Sequence, residues 1–185
     1  MSNPDPAALA AQVQDRSLPP VEQWDPPLSG EMDLHIRRDG SWFYQGSPIE
    51  RPALVRLFST LLRREDDGHY YLLTPVEKWR IRVDDAPFLA VLLAVEGRGR
   101  EQVLQFTTNL GDQVAAGSDH PLWVDYSPDG EPSPYIHIRD WLEALIGRSV
   151  FLELAELAQE GQVEGRSWLG VWSQGVFFPL GPAEE

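Results

Sequence analysis

Leu34-His35-Ile36-Arg37-Arg38-Asp39-Gly40-Ser41-Trp42-Phe43-Tyr44 is the stretch on which the fold reading turns. Leu34 and Ile36 alternate with His35 and Arg37, the period-two pattern of a strand with one face buried. Asp39-Gly40 then supplies turn chemistry and Trp42-Phe43-Tyr44 a return strand, so the stretch predicts a β-hairpin. After a Gln45-Gly46-Ser47-Pro48 break, Leu54, Leu57, Phe58, Leu61 and Leu62 recur at i, i+3, i+4, i+7 and i+8. That spacing predicts an amphipathic helix, with Pro52 suited to its first turn. Glu65-Asp66-Asp67-Gly68 is read as its end. Tyr70–Leu73, a Thr74-Pro75 turn and Val76–Val83 then predict a second hairpin.

The order hairpin, helix, hairpin returns downstream. Leu122–Tyr126, a turn at Asp129-Gly130, Tyr135–Ile138, a helix from about Asp140, then Trp168–Trp172 and Val176–Phe178 repeat it. Placing Arg51-Pro52-Ala53-Leu54-Val55-Arg56-Leu57 on Arg139-Asp140-Trp141-Leu142-Glu143-Ala144-Leu145 gives the shared string R-x-x-L-x-x-L, and predicts a structural duplication. Gly147 interrupts the second helical pattern, so a kink or a further helix is expected near Ser149. Between the copies Phe88–Val95 and Gln102–Thr108 read as strands joined by Gly97-Arg98-Gly99-Arg100. No helix follows that turn, so its G-x-G is not a phosphate loop. The fold class expected is α+β, as two related halves, each an antiparallel β-hairpin, a helix and a β-hairpin. The organisation expected is a proline-rich arm over residues 1–30, a first repeat over 31–85, and a larger second α+β domain over 86–181. Residues 1–13 suit a short, fraying helix, and Trp24 is the expected anchor of the arm. Leu54, Leu57, Phe58, Leu61, Leu142, Leu145 and Ile146 are expected in the core.

Composition bounds the rest. A chain of 185 residues suffices for one ordinary domain or two small ones without covalent staples, and the absence of cysteine excludes disulfides, iron-sulfur clusters and thiolate zinc sites. Sixteen prolines predict many chain breaks. No apolar run is long enough for a membrane helix and no signal-peptide pattern opens the sequence, so a soluble cytoplasmic protein is expected. The net charge of −14 opposes binding to nucleic acid or anionic membranes. The charge is uneven, however: Leu34–Val83 carries nine basic and six acidic residues, whereas Leu122–Pro179 carries three basic and nine acidic. Fourteen of the fifteen bases are arginine, which suits bidentate recognition of anions and is equally accounted for by codon usage.

Catalytic patterns are missing. His35, His69, His120 and His137 show no metalloprotease spacing and no dense cluster with acids, so no metal site and no cofactor are expected. Asp119-His120 reads as a surface turn. His35, with Asp33 and Arg37 on the same strand face, reads as ordinary sheet surface, and no G-x-S-x-G elbow marks a serine nucleophile. The most informative chemistry is the strand Glu77-Lys78-Trp79-Arg80-Ile81-Arg82-Val83. Lys78, Arg80 and Arg82 share one face about 7 Å apart. Either Glu77, Asp84 and Asp85 neutralise this row on a solvated surface, or it is an anion-recognition face joined by Arg37 or Arg51. A further alternative is that the acidic second copy neutralises the basic half, within one molecule or across a homodimer.

Pro19-Pro20-Val21-Glu22-Gln23-Trp24-Asp25-Pro26-Pro27-Leu28-Ser29-Gly30, the segment Asp33–Ser59 with its Arg38-Asp39-Gly40-Ser41-Trp42 and Gln45-Gly46-Ser47-Pro48 strings, and Leu73-Thr74-Pro75-Val76-Glu77-Lys78 together resemble the bacterial domain of unknown function 1285 family. The resemblance spans about Leu18 to Leu180. It implies a two-part α+β fold with repeated motifs and a role in signal transduction, and it carries no catalytic residues. The functional reading is therefore a non-enzymatic ligand-binding or protein-interaction module with a regulatory role, taking a small anionic ligand or an acidic protein partner. Its rival is a hydrolase or other enzyme acting on a small anionic substrate.

Overall fold

The computed structural model describes Asp5 and residues 18–183, which divide into two compact units, Met1–Pro87 and Phe88–Glu185. Apart from Asp5, the helix expected over residues 1–13 lies outside the described residues. The described chain is mostly β with two α-helices, and no helix within it is long and apolar enough to cross a membrane.

The first unit opens with a 3-10 turn at Val21–Gln23, followed by β1 (Leu28–Ile36), β2 (Trp42–Tyr44), β3 (Ser47–Pro48), helix α1 (Pro52–Ser59), β4 (Leu62–Arg64), β5 (Tyr70–Leu73) and β6 (Lys78–Val83). These strands form one sheet in the order β3-β2-β1-β6-β5-β4. The β1–β2 turn falls at Asp39-Gly40, where Gly40 takes a φ of +87°. There the Gly40 N–H donates to the Arg37 carbonyl and the Arg37 N–H to the Ser41 carbonyl. β1 starts six residues before the alternating run because it also pairs in parallel with β6, a long-range contact that no local pattern announces. Its Gly30 sits at a φ of +148°, with a Trp79 ring carbon 3.2 Å from where a Cβ would stand, so only glycine fits there.

Helix α1 begins with Pro52 and stops at Ser59, three residues short of the predicted stripe's end at Leu62. The Ser59 hydroxyl donates to the Arg56 carbonyl and the Thr60 hydroxyl to the Leu57 carbonyl, each at 2.6 Å, satisfying carbonyls the helix leaves open. Leu62 starts β4 instead, opposite Leu72. Phe58 and Leu61 are buried, but Leu54 and Leu57 are only half-buried, and Val55 takes the inward position. Glu65–Gly68 therefore closes the β4–β5 hairpin rather than the helix.

The second unit contains β7 (Phe88–Glu96), β8 (Val103–Thr108), β9 (Gln113–Ala115), β10 (Leu122–Tyr126), β11 (Pro132–Arg139), β12 (Leu142–Ile146), helix α2 (Arg148–Glu156), β13 (Gln159–Val163), β14 (Arg166–Ser173) and β15 (Val176–Pro182). β7 to β12 make a six-stranded sheet in the order β10-β11-β12-β7-β8-β9, and β13 to β15 make a separate three-stranded sheet. Both six-stranded sheets follow one plan. A three-strand meander runs outward, the chain crosses over, a second meander runs inward, and the first and last strands meet in parallel at the centre, β1 with β6 and β7 with β12.

That plan corrects the predicted register of the repeat. The helix expected from Asp140 is a strand, and the R-x-x-L-x-x-L strings are not equivalent, one opening a helix and the other a strand. Leu142–Ile146 runs between β11 and β7, with Leu142, Ala144, Leu145 and Ile146 buried. A short apolar run buried on both faces has no period to separate strand from helix, and sheet pairing decides it. The Gly147 N–H donates to the Ala90 carbonyl at 3.0 Å, and α2 starts immediately afterwards. The small sheet is tied to its own unit by the fully buried Ser173, whose hydroxyl accepts from the Leu104 N–H at 2.9 Å and donates to the Ala116 carbonyl at 2.7 Å.

Candidate functional site

In the first unit, alternation along β1 buries Met32, Leu34 and Ile36 and leaves Glu31 and Asp33 outward, with His35 half-buried on that same side. The parallel register sets Glu31 beside Arg80 and His35 beside Arg82, while β5 sets Tyr71 beside Arg80. Side chains far apart in sequence thus share one face. That face is concave, enclosing about 670 Å³, and its polar lining comprises Glu31, Asp33, His69, Tyr70, Arg80 and Arg82.

Arg80 and Arg82 each touch an imidazole. Arg82 Nη2 lies 2.8 Å from His35 Nδ1, and His35 Nε2 lies 2.6 Å from Asp84 Oδ1. A guanidinium can only donate, so Nδ1 accepts, the proton sits on Nε2, and Nε2–H donates to Asp84. Arg80 Nη2 stands 2.9 and 2.7 Å from the two ring nitrogens of His69. Among the described residues neither arginine forms an ion pair with a carboxylate. Asp67 anchors this edge by accepting from the Tyr71 hydroxyl at 2.5 Å and from the His69 N–H at 2.9 Å. The Tyr71 hydrogen bond, with the His69 amide behind it, holds the Asp67 carboxyl below its ordinary value. The same bond pushes the Tyr71 phenol up to about 12.

The other end of the face is filled. Val21 is buried with Tyr71 and Leu73, and Trp24 packs against them half-buried. Arg63 reaches across to donate Nη1–H to the carbonyls of Val21 at 3.1 Å and Trp24 at 2.6 Å. Its Nε and Nη2 hold Glu65, which also takes Lys78 Nζ at 2.9 Å. Burial alone would raise the Glu65 carboxyl, but the bonds from Lys78 and Arg63 bring it below its usual value.

Of the five cations singled out in the sequence, Arg80 and Arg82 line the concavity and the other three do not. Lys78 is paired with Glu65 and lies over the Tyr71 ring at 5.0 Å. Arg37 stacks on Phe43 at 3.7 Å. Arg51 is exposed immediately before α1, its carbonyl accepting from the Leu54 and Val55 N–H groups. Of the acids offered as neutralising partners, Asp84 bonds His35 and Asp85 pairs with Arg38 at 3.2 Å. No local sequence pattern marks His35 and His69 as site residues. The Asp33-x-His35-x-Arg37 alternation was visible, but the partners Asp84 and Arg82 depend on the parallel β1–β6 pairing, which has no local signature.

The fold and this face define a two-unit, mostly β protein with an arginine- and histidine-lined hollow in its first unit. The model described as domain of unknown function (DUF1285), N-terminal domain, matches residues 19–86, and the one described as protein of unknown function (DUF1285), C-terminal domain, matches residues 87–180. The chain belongs to the DUF1285 family. It is similar to the crystal structure of a DUF1285 family protein from Silicibacter pomeroyi DSS-3, at 50% identity with a TM-score of 0.89, covering 98% of this chain and 97% of that one. A DUF1285 family protein from Shewanella baltica OS155 is similar at 26% identity with a TM-score of 0.52, covering 68% of this chain and 91% of that one. No curated protein matches the chain.

Proposed function

We propose that the protein is a non-enzymatic module with a regulatory role that binds a small anionic ligand in the hollow of its first unit. One observation carries this reading. Arg80 and Arg82 line a concave surface and are contacted by imidazoles instead of carboxylates, so most of their N–H donors remain for a ligand. A guanidinium offers five donors in a planar fork suited to carboxylate or phosphate oxygens. Among the described residues neither arginine is ion-paired, although Glu31 and Asp33 line the same hollow, whereas Arg63 and Lys78 on the same face share the Glu65 carboxylate.

The rival reading, an enzyme acting on a small anion, draws on the 2.6 Å His35–Asp84 pair. In that arrangement both imidazole nitrogens are already used, one accepting from Arg82 and one donating to Asp84. None is left to take a proton from a substrate or a water. The test is a thermal-shift screen against anionic metabolites, with every stabilising compound then assayed for turnover. A binder is stabilised by its ligand and leaves it unchanged. Product formation from a stabilising compound would replace this reading with the enzymatic one, and a screen with no stabilising anion would remove both.

A further inference from the structure

In the second unit, His120 precedes β10 and His137 lies within β11, seventeen residues apart. The antiparallel β10–β11 pairing brings their rings together, centroids 5.3 Å apart and planes inclined by 28°. Their Nδ1 atoms are 3.2 Å apart. His137 Nε2 stands 2.7 Å from the Asp140 carbonyl oxygen, an acceptor only, so the His137 proton is on Nε2 and its Nδ1 presents a lone pair. His120 Nδ1–H therefore donates to His137 Nδ1, with the His137 carbonyl at 3.2 Å sharing the proton. The backbone holds both residues in place: the His137 N–H donates to the Pro121 carbonyl and the Gly117 N–H to the His120 carbonyl. Both side chains are half-buried.

We propose that His120 and His137 form a two-histidine binding site for a borderline divalent transition-metal ion such as Cu²⁺ or Zn²⁺. With metal–nitrogen bonds of about 2.0–2.1 Å, two imidazole nitrogens stand about 3.3 Å apart on a tetrahedral ion and about 2.9 Å apart on a square-planar one. The observed separation falls between those values, so the pair meets a metal with little movement. The His137 Nε2–H···O=C bond is the outer contact that fixes tautomer and ring orientation in histidine metal sites. Binding needs no net loss of protons. The His120 proton moves from Nδ1 to Nε2, the Nδ1 lone pair turns to the metal, and the His–His hydrogen bond is exchanged for two coordinate bonds. Among the described residues no third histidine or acid completes a set, so water or an added ligand fills the remaining positions and the ion exchanges readily.

The experiment is a titration of tag-free full-length protein with Cu²⁺ near pH 7.5, read by electron paramagnetic resonance and by calorimetry, with Zn²⁺ as competitor. One Cu²⁺ per chain with nitrogen coupling from two imidazoles, displaced only by a large excess of Zn²⁺, is the expected result. His120→Ala and His137→Ala should each weaken that binding at least tenfold while leaving the circular dichroism unchanged. The wild-type spectrum stands independently of whether the variants fold. Wild-type protein that binds no Cu²⁺, a spectrum without two-imidazole coupling, or folded variants that bind as wild type would each overturn the proposal.

Discussion

Arg63 links the arm to the first sheet, since one guanidinium bonds the carbonyls of Val21 and Trp24 and the Glu65 carboxylate. Hydrogen bonds involving a charged partner contribute about 1.5–3 kcal/mol when desolvated, and their loss strands the groups left behind. Arg63→Ala should therefore lower stability by about 2–3 kcal/mol, seen as an earlier urea midpoint, with earlier proteolytic cleavage near Val21–Trp24. A midpoint equal to wild type would show that the arm is held by Val21 burial alone. Tyr71 makes a second prediction, about pH. Its phenol is raised from 10 to about 12, so its bond to Asp67 contributes fully below pH 10 and is lost as pH rises through about 12. Asp67 is lowered, so the same bond contributes above the ordinary carboxyl value of 3.8 and is lost as pH falls through the folded one. Thermal midpoints of wild type and Tyr71→Phe should differ at neutral pH and converge at both extremes. A difference independent of pH would contradict the assignment.

At the scale of elements, legibility followed locality. The Leu34–Tyr44 hairpin and the start of α1 at Pro52 were readable, because alternation, an Asp-Gly turn and a 3.6-residue stripe are local signals. The end of α1 and the identity of Leu142–Ile146 were not, since each is decided by a distant strand: Leu72 for Leu62, and Phe88–Ala90 for Ala144–Ile146. Short β9 and β13 carried too few apolar residues to register as strands, with Gln113 and Gln159 exposed at their starts. Burial within α1 gives a direct check. Phe58 is 1% exposed while Leu54 is half-buried, so Phe58→Ala should cost about 3–5 kcal/mol and Leu54→Ala clearly less. Equal costs by chemical denaturation would mean that the stripe faces the core along its original Leu54–Leu57 line.

At the scale of the molecule, the repetition was detectable as a recurring element order, yet its true unit is the six-stranded sheet. The strings around Leu54 and Leu142 matched by composition while folding differently. The pairing of first and last strands that defines each sheet joins residues about fifty apart. The same separation explains the site: Lys78, Arg80 and Arg82 were legible as a row of cations, but only the placement of β5 and β1 divides them into a compensated Lys78 and two arginines facing a hollow. The central claim is that those two arginines hold an anion. The most direct measurement is calorimetric titration of wild type and of the Arg80→Ala/Arg82→Ala double variant with the anion that stabilises wild type most in the thermal-shift screen. The account predicts saturable one-to-one binding to wild type that weakens with added salt and is abolished in the double variant, whose thermal stability stays close to wild type. Undiminished binding by the folded double variant would contradict it.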